Sequence, residues 1–448
     1  VTEFRIAIVG SGPSAFYAAE DLLKTGAHID MIERLPTPFG LVRAGVAPDH
    51  PKIKSVTLLY ERILSHANLS FFGNVTVGRD VSMPELLAVY DAVILACGAP
   101  RDARLDIPGE DLPGSHPASA FVAWYNGHPD FRDHHFALDH PVAVVVGHGN
   151  VALDVARILL TPVEKLQTTD IAAHALEALA ASQVREVHLL GRRGPVQASF
   201  TTNELRDLAR IEGCSIHVDV ADLVLDAECE EELLHVGSDN ARRNLDVLRE
   251  IAGKTPEPAE RRLFLHFRTS PIAADGDGKV ERLHVVTNSL RGPAGQRTAV
   301  STEAVTEIHC GLVLRSVGFR AAPLEFVPFD VRRGLVPNSA GRVLDADRPV
   351  PGLYVVGWMK RGASGVIGTN RACALETTKT VSEDLRFESV PKAKRFGIQA
   401  LLEARGIDIV TGDGWRNIDL AEQAAGHAVG KPREKLTRIG ELVEASRG

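Results

Sequence analysis

Arg5-Ile6-Ala7-Ile8-Val9-Gly10-Ser11-Gly12-Pro13-Ser14-Ala15 is the stretch that decides the fold of this chain. Its first five residues are mostly branched aliphatics with no polar alternation, the pattern of a strand buried on both faces. Gly10 permits a tight turn out of that strand. Gly12 leaves no Cβ between the backbone and an approaching pyrophosphate, and Ala15 takes the third position, where helix and strand pack closely. From Ser14 to Lys24, the residues Phe16, Ala19, Leu22 and Leu23 fall on one side of a helix that Gly26 closes. A second strand, His28 to Ile32, completes a βαβ unit of the usual ~30 residues. Glu33 follows, where an acid accepts hydrogen bonds from ribose hydroxyls and repels a 2′-phosphate. This first site suits FAD or NAD, not NADP.

The same logic recurs in mid-chain. Pro141 to Val146 reads as a strand, and Gly147-His148-Gly149-Asn150-Val151-Ala152 opens a helix to Leu160. The acid expected ~20 residues later is absent. A mostly helical insertion, roughly Thr161 to Gln183, delays the returning strand, Glu186 to Leu190. Gly191-Arg192-Arg193 comes next. Two guanidinium groups at a strand end grip a 2′-phosphate bidentately and stack on adenine, so this second site selects NADPH.

At 448 residues the chain holds two or three domains. A net charge of −8 argues against non-specific nucleic-acid binding. The five cysteines, Cys97, Cys214, Cys229, Cys310 and Cys373, are scattered. They form no C-x-x-C redox pair, no zinc ribbon and no iron–sulfur run, and no metal site is expected. Scattered thiols fit a reducing compartment. The apolar run Ile6–Val9 is too short for a signal-peptide core, and nothing reaches the length of a membrane helix. The expectation is a cytoplasmic protein without membrane insertion.

Further elements follow from pattern alone. The Pro/Gly-rich stretch Leu35–Pro51 is a loop, Lys52 to Ala67 a helix, Leu69 to Val77 strand and turn, and Tyr90 to Ala96 a buried strand. Arg101 to Pro117 looks like a crossing between domains. Cys214 to Ser289 reads as strands around a helix from Asn240 to Ala252, and Lys254 to Glu260 as a short loop. Pro351 to Gly357 is a turn and strand returning to a nucleotide domain, and helical stretches fill the tail from Pro391.

Three longer motifs carry a family resemblance. Thr37-Pro38-Phe39-Gly40-Leu41-Val42-Arg43-Ala44-Gly45-Val46-Ala47-Pro48-Asp49-His50-Pro51-Lys52 is one. Phe200-Thr201-Thr202-Asn203-Glu204-Leu205-Arg206 is the second. Gly357-Trp358-Met359-Lys360-Arg361-Gly362-Ala363-Ser364-Gly365-Val366-Ile367-Gly368-Thr369-Asn370 is the third. Together they resemble the adrenodoxin-reductase-like ferredoxin–NADP reductases, in their actinobacterial branch. The resemblance implies an α/β protein with two Rossmann-like dinucleotide-binding domains, the NADP domain (101–318) inserted into a discontinuous FAD domain (1–100 and 319–448).

That resemblance implies a flavoenzyme that takes a hydride from NADPH onto FAD and passes single electrons to a ferredoxin or similar small iron–sulfur protein. It places Ser14, Glu33, Leu41, Val77, Trp358 and the turn Gly365-Val366-Ile367 against FAD. His148 to Val151, Arg192, Arg193, Glu204 and Gly365 fall against NADPH. His50 and Glu204 match a pair beside the nicotinamide, read as positioning groups or a proton relay. Where the family branch has a further phosphate-binding arginine this chain has Ala103, flanked by Arg101 and Arg104. The alternative is an NADPH diaphorase or quinone reductase with small acceptors, which would share every cofactor motif. An acidic partner needs a local basic face on this acidic chain, for which Arg242, Arg243, Arg249 and Lys254 are candidates.

Overall fold

The computed structural model describes residues 4–236, 239–255, 258–387 and 397–448. The first residues of the tail read as starting at Pro391, and residues 256 and 257 of the loop after Lys254, lie outside these. The chain divides into two compact units, Val1–Ala103 with Gly318–Gly448, and Arg104–Val317.

A seven-stranded sheet organises the first unit. Its order is Asn338–Ser339, Arg342–Asp345, Arg348–Val355, Ala92–Leu95, Arg5–Val9, His28–Ile32 and Leu69–Phe72. The last five of these are parallel to one another. Ile6 and Ile8 face one apolar layer with Phe16 and Leu22, while Ala7 and Val9 face another with Leu86 and Tyr90. Burial on both sides is why the first strand carries no polar alternation. The helix Pro13–Leu23 starts with proline at its first position, and Gly26 follows it at φ +84°. It packs along the C-terminal-half helix Thr369–Phe387.

The helix expected over Lys52–Ala67 is broken into Pro51–Lys54 and Thr57–Leu64. Two hydroxyls compete with the helical ladder at the break. Ser55 Oγ donates to the Lys52 carbonyl at 2.6 Å and Thr57 Oγ1 to the Lys54 carbonyl at 2.9 Å.

The second unit has a six-stranded parallel sheet in the order Ser115–Pro117, Leu312–Arg315, Val142–Val146, Glu186–Leu190, Arg261–His266 and Cys214–Val218. Ala143 and Val145 pack on one side against the helix Asn150–Leu160. Val144 and Val146 pack on the other side with Ala274, Leu283 and Val285. Those three belong to an antiparallel meander, Thr269–Asp275, Arg282–Arg291 and Thr298–His309, that supplies this second layer. The insertion after Leu160 is helical at Val163–Leu166 and Ala173–Ala180. Among the described residues no helix is long and apolar enough to cross a membrane.

Candidate functional site

In the first unit the turn after Arg5–Val9 admits only glycine at its first position. Gly10 has φ +105°, and a Cβ there would stand 2.6 Å from the Ala96 carbonyl oxygen. Gly12 is different: nothing lies within 4 Å of where its Cβ would point. That open approach meets the first turn of Pro13–Leu23, where Pro13 has no N–H, Ala15 and Phe16 donate to the Gly12 carbonyl, and the Ser14 N–H reaches no intrahelical carbonyl. Open backbone at a helix N-terminus is a place for a phosphate. Ala15 is fully buried beneath.

Glu33 does more than the sequence suggests. Its Oε2 accepts from the Ser11 N–H at 3.0 Å and from the Ser11 hydroxyl at 2.7 Å, and its Oε1 accepts from the Leu35 N–H at 3.0 Å. The carboxylate therefore holds the fingerprint turn in shape. Oε2 spends both of its lone pairs on Ser11, whereas Oε1 keeps one for a ribose hydroxyl. The serine between the two glycines is the sequence signal for this second role.

The signature loop lies directly on that turn. The Phe39 N–H donates to the Ser11 carbonyl at 3.0 Å, and a Cβ on Gly40 would be 3.0 Å from Gly12 Cα. Phe39 takes φ +82°, a left-handed backbone that non-glycine residues rarely adopt. Leu41 follows, 51% exposed, at the start of the short helix Leu41–Ala44. Half-buried His50 heads the helix Pro51–Lys54. Val77 is half-buried in the turn beyond Leu69–Phe72.

The strand Arg348–Val355 delivers the third piece to the same edge of the sheet. A Cβ on Gly357 (φ +71°) would meet Ser14 Oγ at 2.2 Å. Trp358 stacks on Phe319 at 5.7 Å between ring centroids, and its Nε1 donates to the Ser364 carbonyl at 3.3 Å. Ser14 Oγ donates to Asn370 Oδ1 at 3.0 Å, and Arg361 Nη2 donates to the same oxygen at 3.1 Å. The starts of the helices Pro13–Leu23 and Thr369–Phe387 are thereby tied together at the carboxyl ends of the parallel strands, where open α/β sheets bind ligands. Gly365 has φ +79°, and a Cβ there would meet Thr369 Oγ1 at 2.3 Å, so the backbone itself demands glycine. Val366 is 60% exposed and Ile367 packs partly into the core.

In the second unit Gly147 repeats the first glycine's logic, with φ +133° and a Cβ position 2.2 Å from the Ser316 carbonyl oxygen. Gly149 precedes the helix Asn150–Leu160, in which Val151 is half-buried and Ala152 fully buried. Asn150 Oδ1 accepts from the Thr201 N–H at 2.8 Å, which brings the Phe200–Arg206 motif to the fingerprint. The His148 ring turns inward, where it packs against Phe200 and Phe267 and its Nε2 lies 3.3 Å from the Leu189 carbonyl oxygen. Burial pushes its pKa down to about 4.

Arg192 and Arg193 are exposed just past Glu186–Leu190. Neither guanidinium makes a hydrogen bond or ion pair among the described residues. Arg104, by contrast, is paired with Asp111 at 2.6 Å and Glu110 at 3.5 Å. Arg101 lies on the first unit, in a two-residue ribbon with Phe319–Arg320. Glu204 is buried in the second unit and accepts from Arg157 Nη1 at 3.2 Å, while Arg157 Nη2 bonds Asp154 at 2.6 Å. His50 belongs to the first unit and Glu204 to the second.

The basic face is smaller than its sequence suggests. Arg242 is engaged by Asp239 and by the Leu233 and Leu234 carbonyls, and Lys254 by Glu250. Arg243 and Arg249 remain exposed.

Residues 4–261 match the family model described as pyridine nucleotide-disulphide oxidoreductase. The chain is 46% identical to the NADPH-ferredoxin reductase FprA of Mycobacterium tuberculosis, covering 99% of both chains. It is 42% identical to the human mitochondrial NADPH:adrenodoxin oxidoreductase, covering 98% of this chain and 91% of that one. The solved structure of Mycobacterium tuberculosis FprA in complex with NADPH superposes with a TM-score of 0.94 over 100% of both chains. A similarity that runs through both fingerprints, the signature loop and the returning strand leaves one assignment: the chain belongs to the pyridine nucleotide-disulphide oxidoreductases, in their branch of NADPH–ferredoxin and adrenodoxin reductases.

Proposed function

We propose that this flavoenzyme oxidises NADPH and reduces a ferredoxin-type iron–sulfur protein. The single observation that carries the reading is the pair of fingerprints with opposite selectors. The first ends at an acid, Glu33, that suits an unphosphorylated ribose; the second ends at Arg192 and Arg193, two exposed arginines whose guanidinium groups have no partner among the described residues. FAD, when bound, supplies the chemistry that lets a two-electron donor serve a one-electron acceptor.

The first unit is the FAD domain and the second the NADP domain in this reading. Gly12 and the first turn of Pro13–Leu23 take the FAD pyrophosphate, Glu33 the ribose, and Leu41, Val77 and Trp358 flank the ring system. The open backbone at Gly12 and the lone pair left on Glu33 Oε1 fit such a ligand. The start of Thr369–Phe387, with Gly365, Val366 and Ile367 before it, directs a positive helix end at charge that builds during reduction. Gly147, Gly149 and Asn150 receive the NADPH pyrophosphate. Arg192 and Arg193 grip its 2′-phosphate. His50 and Glu204 orient the carboxamide or hold a proton near it, and Arg157 fixes the Glu204 carboxylate for that task. Among the described residues all five cysteines are free thiols, which fits an external iron–sulfur acceptor and a cytoplasmic setting.

The test is a steady-state assay of the yellow protein with NADPH and a panel of ferredoxins. Cytochrome c reduction that depends on added ferredoxin supports the reading. Equal turnover with small quinones and no ferredoxin dependence would make it a diaphorase.

A further inference from the structure

We propose that Asn288 is a specificity-determining positioning residue, which fixes the strand end that reads the 2′-phosphate. The proposal rests on the NADPH reading above. Gly191, Arg192 and Arg193 follow the strand Glu186–Leu190, and each of their carbonyls has a donor. The Thr269 N–H donates to the Gly191 carbonyl at 2.9 Å, and the Arg268 N–H to the Arg193 carbonyl at 2.9 Å. Those are backbone donors, which nearly any residue supplies. The middle carbonyl, that of Arg192, is held by a side chain: Asn288 Nδ2 donates to it at 2.9 Å.

Asn288 is built for this contact. It is 4% exposed on the meander strand Arg282–Arg291. Its Nδ2 also donates to Ser270 Oγ at 2.8 Å, and its backbone N–H to the Arg268 carbonyl at 2.6 Å. The pairing register with Thr298–His309 shifts between Val286 and Asn288, a place where sheets re-aim a side chain. Arg268, on the far side, is over-determined. Its backbone sits at φ +51°, and its Nη2 bonds the Ala221 carbonyl at 2.9 Å and Asp222 at 3.1 Å. The peptide after Arg192 thus depends on one amide for its orientation. That orientation aims two adjacent like charges, whose mutual repulsion an anion between them offsets.

The experiment is calorimetric titration of NADP⁺ and NAD⁺ into the FAD-loaded protein. Asn288→Ala is expected to weaken NADP⁺ about three- to tenfold, the worth of one buried hydrogen bond, and to leave NAD⁺ within about twofold. Arg192→Ala with Arg193→Ala serves as the reference. If that double variant keeps the wild-type preference for NADP⁺, the NADPH reading of this strand end fails. If it loses the preference while Asn288→Ala retains it, the proposal is overturned and the reading stands. Equal weakening of both nucleotides by Asn288→Ala also overturns the proposal, since it marks a purely structural role. Should Asn288→Ala fail to fold, Asn288→Ser is read by the same criteria.

Discussion

Arg43 and Glu422 are 379 residues apart in sequence and joined by two hydrogen bonds, Nη1 to Oε2 at 2.8 Å and Nη2 to Oε1 at 2.5 Å. The Glu422 side chain is fully buried. Burial by itself would raise its pKa, but the charges and hydrogen bonds of Arg43 and the charge of Arg433 hold it below the usual carboxylate range. The Leu436 N–H adds a bond at 2.9 Å, and Arg43 also lies over the Trp415 ring at 5.4 Å. This cluster ties the helix Gly412–Ala428 to the signature loop, and through Phe39 and Gly40 to the fingerprint turn.

Glu422→Ala removes the acid and leaves the largely buried Arg43 guanidinium without its carboxylate, while Arg433 keeps Asp419 at 2.6 Å. The expected loss of unfolding free energy is ~3–5 kcal/mol. Urea titration followed by tryptophan fluorescence measures it, and a loss below ~1 kcal/mol would show that the cluster does not anchor the tail.

Gly10 and Gly12 separate folding from binding. Gly10→Ala collides with the Ala96 carbonyl and strains a positive φ, so both stability and flavin retention fall. Gly12→Ala meets no protein atom, so the melting temperature of the FAD-free variant stays near that of FAD-free wild type while FAD is lost on gel filtration. Retention of FAD by Gly12→Ala argues against pyrophosphate at this turn.

Stability is expected to fall between pH 6.5 and 4. Burial pushes His148 and His266 down to about 4 from an ordinary 6.5, with the neighbouring His188 adding to the shift at His266. The unfolded chain then binds more protons than the folded one across that window, so stability drops as pH falls through it. His266→Gln should flatten the decline in a scan of melting temperature against pH. A wild-type profile level from pH 7 to 5 would contradict the burial of these rings.

Arg192→Ala with Arg193→Ala is expected to cost ~2–4 kcal/mol in NADPH binding and almost nothing in NADH binding, because charge-assisted phosphate bonds are lost. Equilibrium titration with the two nucleotides decides. Equal losses would remove the arginines from the phosphate site.

Local signals in the sequence carried the strand–turn–helix units. Gly10 and Gly147 announce their turns because a positive φ beside a neighbouring backbone tolerates no other residue. The duplicated fingerprint and the arginine pair were legible as patterns because each lies in contiguous residues. Long-range partners were not. Nothing near Arg43 points to Glu422, and nothing near Arg192 points to Asn288, since each pair is joined only by the fold. The broken helix at Ser55 and Thr57 shows a finer limit, because apolar spacing does not register hydroxyls that cap carbonyls in mid-run. The inward turn of the His148 ring was not legible either, because it depends on the space beside side-chain-free Gly191, 43 residues away in sequence.

The most direct test is anaerobic mixing of the purified yellow protein with NADPH in a stopped-flow spectrometer. The account expects rapid loss of the oxidised-flavin absorbance, with NADH far slower at the same concentration. An absorbance that persists with NADPH, or decays equally fast with both nucleotides, would contradict it.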